Sequence, residues 1–259
     1  MSDRTEGTPA LRTDGLTKRF EELTAVDGVS LPVPEGEFRS VIGPNGAGKT
    51  TLFHLISGAM APTSGSVSLR EEAITTRSPA ERVSRGLARS FQLTTVFDGL
   101  SVRENVRLSV QAGAYGELSV RKRLLADPEG IEPIVRRTES VLERIGLEGL
   151  AATRASDLAY GDRRRLELGL VLATDPDVVL LDEPTAGMSG EETRATIELI
   201  EDVLADRTLL LVEHDIDLVM RISDRITVLN DGSVLATGTP GTIANDDRVQ
   251  EAYLGGYDP

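Results

Sequence analysis

The stretch GPNGAGKTT at 43–51 constrains this chain more than any other. It follows the apolar FRSVI and precedes TLFHLISG, so a glycine-rich turn joins a strand-like run to a helix-like one. The turn satisfies G-x-x-x-x-G-K-[ST] without a mismatch. Gly43, Gly46 and Gly48 let the backbone wrap closely, with amide hydrogens turned inward toward phosphate oxygens. The turn also holds Pro44, Asn45, Ala47 and Thr51, and the helix opening near Lys49 adds its positive end. Lys49 is expected to bridge the β- and γ-phosphates of a nucleotide and the Thr50 hydroxyl to ligate Mg²⁺.

Beyond this turn, short apolar runs alternate with helical patterns. DVVLLDEP (177–184) leads into the amphipathic EETRATIELIEDVL, followed by TLLLVEH, IDLVMRI, RITVLN and GSVLATG. Strand–helix alternation predicts an α/β fold with a mostly parallel sheet covered by helices. The first ~40 residues and 65–70 instead read as antiparallel strands, with tight turns at DGVS, PEGE and TSGS. From 101 to 174 the pattern is almost wholly helical. SVRE (101–104) is a capping box, and RRTESVLERIGL stops at Gly146. AGAYGELSVRKRLLADPEG, around 112–130, is looser. The expected organisation is one domain over 1–259, with a helical subdomain inserted at roughly 93–172.

Chemistry-bearing side chains recur at strand ends. Asp182, closing the apolar run of DVVLLDEP, is placed to hold Mg²⁺ directly or through water. Glu183, one step on, points elsewhere and can polarise an attacking water, which implies hydrolysis rather than binding alone. Gln92 in RSFQLTTVF can ligate Mg²⁺ through its carbonyl and orient water through its amide. His214 follows TLLLVE, at the carboxyl end of a strand that faces the ligand crevice of a doubly wound sheet. It could donate a hydrogen bond to the γ-phosphate and the attacking water. Phe20, ahead of the glycine turn in a chain only 3% aromatic, could stack on adenine.

Charge and composition narrow the function classes. The net charge is −14, from 42 acidic and 28 basic residues, and a nonspecific nucleic-acid binder would be basic. The basic triplet RRR (163–165) reads as solvated helix positions, with Arg163 four residues before Glu167 on one face. Only Lys18, Lys49 and Lys122 are lysines, and an acidic, lysine-poor surface suits a salt-rich cytoplasm. Cysteine is absent, which excludes disulfides and cysteine-ligated metals. No apolar run approaches the roughly 18–20 residues of a bilayer span, and the polar N-terminus resembles no targeting peptide. A cytoplasmic location is expected.

The order of motifs, with Phe20, the glycine loop, Gln92, LAYGD (158–162), DEP and His214, resembles the ATP-binding subunits of ABC transporters over nearly the whole chain. That resemblance implies ATP and Mg²⁺ as ligands. It assigns Phe20 to adenine, Gly43 to Thr51 to the phosphates, Gln92 and Asp182 to Mg²⁺, Glu183 as base and His214 as switch histidine. It also implies that two such domains pair head to tail. Leu158, Ala159, Tyr160, Gly161 and Asp162 then present a helix N-terminus to ATP held by the other subunit. RSFQLTTVFDGLSVRENV, LAYGDRRRLELG, DEPTAGMSGEET and the terminal AYLGG resemble the LivG-type ATPases of branched-chain amino acid importers. The implied partners are a second ATPase, expected to be a paralogue in a heterodimer, two membrane permeases at the inner face of the membrane, and indirectly an extracytoplasmic solute-binding protein. No nucleic-acid partner is implied. Two departures stand out: Ala159 replaces the usual signature serine, and AGMS lacks the aspartate usual after DEP. The same motifs are compatible with an exporter of lipid or lipopolysaccharide. A soluble ABC ATPase acting on DNA or ribosomes is a less favoured alternative, since such proteins usually carry coiled-coil, zinc or tandem-domain features that are not visible in this sequence.

Overall fold

The computed structural model describes residues 8–90, 96–113 and 132–254. They fall into two compact units, one formed by 1–82, 177–184 and 206–259 and the other by 83–176 and 185–205. Gln92, most of the 112–130 stretch and the last glycines of AYLGG lie outside the described residues.

The first unit holds two sheets. Strands β1 (Leu11–Phe20), β2 (Leu23–Val33), β4 (Ser64–Leu69) and β5 (Glu72–Ala73) form an antiparallel sheet in the order β2-β1-β4-β5. PEGE is the turn that leaves β2, with Glu37 N–H donating to Pro34 O at 3.3 Å. DGVS and TSGS are not turns. Gly28 (φ 63°) and Gly65 (φ 85°) sit inside β2 and β4, where the pairing register shifts. A positive-φ glycine marks a bulge as readily as a turn, and long-range pairing with β1 decides between them. At Gly65 a Cβ would stand 2.3 Å from the Gly15 carbonyl oxygen, so β1 can pass only a glycine there.

The other sheet contains β10 (Ser233–Gly238), β9 (Arg225–Asn230), β3 (Phe38–Ile42), β8 (Thr208–Val212) and β7 (Val178–Asp182), adjacent in that order. Pairing is parallel from β9 to β7 and antiparallel between β9 and β10. VVLL and TLLLV are buried throughout, as strands covered on both faces must be. Helices α1 (Lys49–Ser57), α2 (Pro79–Val83), α7 (Ile216–Ile222), α8 (Pro240–Ala244) and α9 (Asp247–Leu254) accompany this unit. Helix α1 ends at Gly58, in the left-handed conformation, whose N–H bonds the Leu55 carbonyl. Arg82 finishes that helix end. Its guanidinium, only 1% exposed, donates to the carbonyls of Leu55, Ile56, Thr75 and Arg77.

The second unit carries a short strand β6 (Leu87–Ser90) and helices α3 (Val102–Gly113), α4 (Glu132–Arg144), α5 (Tyr160–Ala173) and α6 (Gly190–Val203). The SVRE capping box is formed, with Ser101 and Glu104 bonding reciprocally. Gly146 (φ 67°) stops α4, and Leu147 N–H returns to the Leu142 carbonyl. A second capping box at Ser189 and Glu192 starts α6. The arginine triplet differs from the sequence expectation. Glu167 pairs with Arg164 at 2.6 Å, and Arg163 pairs with Asp98 at 2.8 Å, because the i,i+3 rotamer reaches while a loop carboxylate competes for Arg163.

Candidate nucleotide and catalytic site

The glycine loop begins where β3 ends, in the middle of the parallel sheet, and closes at the first residue of α1. Its three glycines have different reasons to be glycine. A Cβ at Gly43 (φ 154°) would lie 2.2 Å from the Leu229 carbonyl oxygen, and one at Gly48 (φ 97°) 2.3 Å from the Ala25 carbonyl oxygen. At Gly46 (φ 82°) nothing lies within 4 Å, so backbone conformation alone selects glycine and the space outside stays open. Asn45, Gly46 and Thr50 are exposed, while Lys49 is 6% exposed with its Nζ donating to the carbonyls of Gly43 (2.6 Å) and Pro44 (3.1 Å). Burial pushes the Lys49 ammonium below its ordinary pKa, and the negative charge of Glu183 opposes that shift.

Strands β7 and β8 bring their carboxyl ends to the same place. Asp182 is the last residue of β7 and Glu183 follows in a left-handed conformation (φ 47°), with its N–H donating to the Val212 carbonyl of β8. A non-glycine residue held there is strained by about 1 kcal/mol or more, a pattern concentrated at functional positions. The turn aims the Glu183 carboxylate at His214, whose Nε2 lies 2.8 Å from Oε1. Asp215 caps α7 by accepting from Leu218 N–H, which fixes the chain just after His214.

These groups line one cleft of about 400 Å³, within the usual range of ligand pockets. Its walls are Asn45 to Thr51, Glu183, His214 and, from the β1–β2 hairpin, Phe20, Leu23 and Ala25. Phe20 is 42% exposed, and Lys18 Nζ stands 5.2 Å from its ring centroid. Leu23 and Ala25 were overlooked in the sequence, although strand alternation from Phe20 across the hairpin pairing Phe20 with Leu23 could have found them. Gly43, Pro44 and Asp182 stand beside the cleft rather than on its wall. Leu158 to Asp162 belong to the second unit, at the start of α5. Ala159 is the N-cap of that helix and offers no side-chain hydrogen bond, Tyr160 is 56% exposed, and a Cβ on Gly161 would meet nothing within 4 Å.

The sequence model of the ABC transporter family matches residues 26–186, more than half of the chain. This chain belongs to the ABC transporter family. A model described as branched-chain amino acid ATP-binding cassette transporter matches residues 233–259. The chain is 43% identical over 255 residues to the high-affinity branched-chain amino acid transport ATP-binding protein LivG of Salmonella typhimurium, covering 95% of this chain and 98% of that protein. It is 39% identical over 258 residues to BraF of Pseudomonas aeruginosa, with the same coverages. Among solved structures, the ADP conformation of MJ1267, an ATP-binding cassette of an ABC transporter, superposes with a TM-score of 0.79 at 30% identity, covering 95% and 98% of the two chains. As a member of this family, the chain is an ATPase. No helix among the described residues is long and apolar enough to cross a membrane.

Proposed function

We propose that this chain hydrolyses ATP to drive an importer for branched-chain amino acids. The observation that carries the catalytic half of this reading is the convergence of Lys49, Glu183 and His214 on one cleft behind an open glycine loop. The substrate half rests on the relatives named LivG and BraF and on the branched-chain model matched at 233–259.

Each residue then has a task. Phe20 stacks on adenine. Amides of Gly43 to Thr51 hold the phosphates, and Lys49 leaves the carbonyls of Gly43 and Pro44 to bridge the β- and γ-phosphates. Among the described residues no three His, Cys, Asp or Glu side chains cluster as a metal cage. Mg²⁺ needs none, since it is commonly bound through one or two carboxylates together with substrate phosphates and waters, and Thr50, Asp182 and Gln92 would be its protein ligands. When bound, Mg²⁺ neutralises charge developing on the phosphate oxygens. Glu183 accepts a proton from the attacking water, whose oxygen bonds to the γ-phosphorus as the bond to the β–γ bridging oxygen breaks, giving ADP and phosphate. With its proton on Nε2, His214 donates to Glu183 and orients that carboxylate.

We place Leu158 to Asp162, on a helical subdomain over roughly 93–172, against ATP held by a second ATPase subunit. The exposed, uncapped start of α5 supports that role, because its amide hydrogens have no side-chain partner from the cap residue. The partner ATPase is a paralogue, and two permeases hold the pair at the inner membrane face. The test of the catalytic reading is Glu183→Gln in the assembled complex. ATP binding should persist while hydrolysis falls at least about 10²-fold, within the range for losing a general base. Near-normal turnover would remove Glu183 from its role.

A further inference from the structure

The hairpin end of the cleft depends on one exposed ring. Phe20 lines the cleft yet is 42% exposed, so packing alone does not fix its orientation. Lys18, half-buried and two residues earlier, shares its face of β1. The Lys18 ammonium stands over the Phe20 ring, 5.2 Å from its centroid. A cation within about 6 Å of an aromatic centroid is attracted to the π face of the ring. Lys18 itself stands beside the cleft rather than on its wall.

Neighbouring backbone fixes where that ammonium sits. Lys18 Nζ donates to the Ala61 carbonyl at 2.8 Å. Ala61 lies between α1 and β4, in a segment fastened at both ends. On one side Met60 N–H donates to the His54 carbonyl of α1 at 3.1 Å. On the other, Thr63 N–H donates to the Thr17 carbonyl at 2.8 Å, and the Thr63 hydroxyl accepts from Arg19 N–H at 3.0 Å. The residues before and after Lys18 are thus both bonded to Thr63, and its side chain runs on to Ala61. Helix α1 begins at Lys49 in the glycine loop, so the ring and the loop are held to the same framework.

We propose that Lys18 is a positioning residue for the nucleotide base: anchored on Ala61, its ammonium holds the Phe20 ring in place before ATP arrives, so that the base stacks on a ring already ordered. In this role Lys18 touches neither base nor phosphate. Its effect passes through Phe20 and is confined to ligands that carry a base. The contact can contribute no more than its own strength, which at a partly exposed site corresponds to about two- to fivefold in an equilibrium constant. This inference rests on the reading of Phe20 as the residue that stacks on adenine.

The test measures the Kd of ATP and of inorganic triphosphate, each with Mg²⁺, by calorimetry on the purified full chain. The variants are Lys18→Met, which keeps an unbranched stem without the charge, Phe20→Ala, and the two together. Lys18→Met should weaken ATP by about two- to fivefold and leave triphosphate affinity at the wild-type value. Phe20→Ala should weaken ATP by at least about fivefold, as loss of base–aromatic stacking does, and adding Lys18→Met to it should change nothing further. Equal weakening of ATP and triphosphate by Lys18→Met would make Lys18 a general attractor of anions. A further loss on top of Phe20→Ala would place its action outside the ring. Either result overturns the proposal, as does wild-type ATP affinity in Lys18→Met. Wild-type ATP affinity in Phe20→Ala would overturn the adenine reading itself and this inference with it.

Discussion

Gly161→Asp separates the assembly reading from any general effect on folding, because the two consequences have opposite signs. Gly161 is the second residue of α5, its φ is not in the left-handed region, and a Cβ there meets nothing within 4 Å. The isolated chain therefore accommodates aspartate without a clash. Replacing glycine inside a helix recovers about 0.3–0.5 kcal/mol of propensity. A carboxylate in the first turn adds about 0.3–1 kcal/mol from the helix dipole. The chain should be more stable than wild type by about 0.6–1.5 kcal/mol, read by urea denaturation. In the proposed complex the same carboxylate would face a phosphate held by the partner. Two like charges about 4 Å apart at an effective dielectric of 20 repel by about 4 kcal/mol. On the barrier that is about 10³-fold in turnover. Steady-state ATPase of the full complex should collapse by that order while ATP binding to this chain's own loop is unchanged. A complex retaining most of its activity would show that α5 does not face the partner's nucleotide. A chain destabilised by more than about 1 kcal/mol would show that its environment has been misread.

Two further predictions concern the scaffold. Arg82→Met keeps most of the volume but strips donors from four carbonyls, two of them at the end of the helix that begins with Lys49. Leaving buried carbonyls without a donor costs about 1–3 kcal/mol each, so the variant should lose at least about 2 kcal/mol, and a loss below about 1 kcal/mol in urea denaturation would contradict it. The backbone N–H and then the hydroxyl of Ser189 hold the Glu192 carboxyl below the ordinary glutamate value of 4.5. Its stabilisation is present above that ordinary value and is lost as pH falls through the lowered one. The melting-temperature gap between wild type and Glu192→Gln should be widest near neutrality and shrink below about pH 4.5; a gap that grew in acid would reverse the assignment.

Local signals in the sequence transferred well. IDLVMRI and RITVLN are a helix and a strand with the boundaries that their patterns give, and GPNGAGKTT lies between a strand and a helix. The ends of β7 and β8 bring Glu183 and His214 together, as the doubly wound pattern implies. What was not legible depends on distant partners. DGVS and TSGS carry turn residues, yet pairing with β1 makes them bulges. Arg163 finds Asp98, 65 positions away, before it finds its own helix neighbour. Arg82 looks like an ordinary residue of a short helix until the fold sets it against the end of α1. The Ser189–Glu192 capping box, by contrast, is legible locally in SGEE.

The most direct measurement of the central claim is uptake of radiolabelled leucine into proteoliposomes. They contain this chain with the proposed ATPase paralogue and two permeases, with a solute-binding protein outside and ATP inside. Leucine should accumulate only with internal ATP, and Glu183→Gln should stop it while ATP remains bound. Accumulation without ATP, or full ATP-driven uptake by the Glu183→Gln complex, would contradict the account.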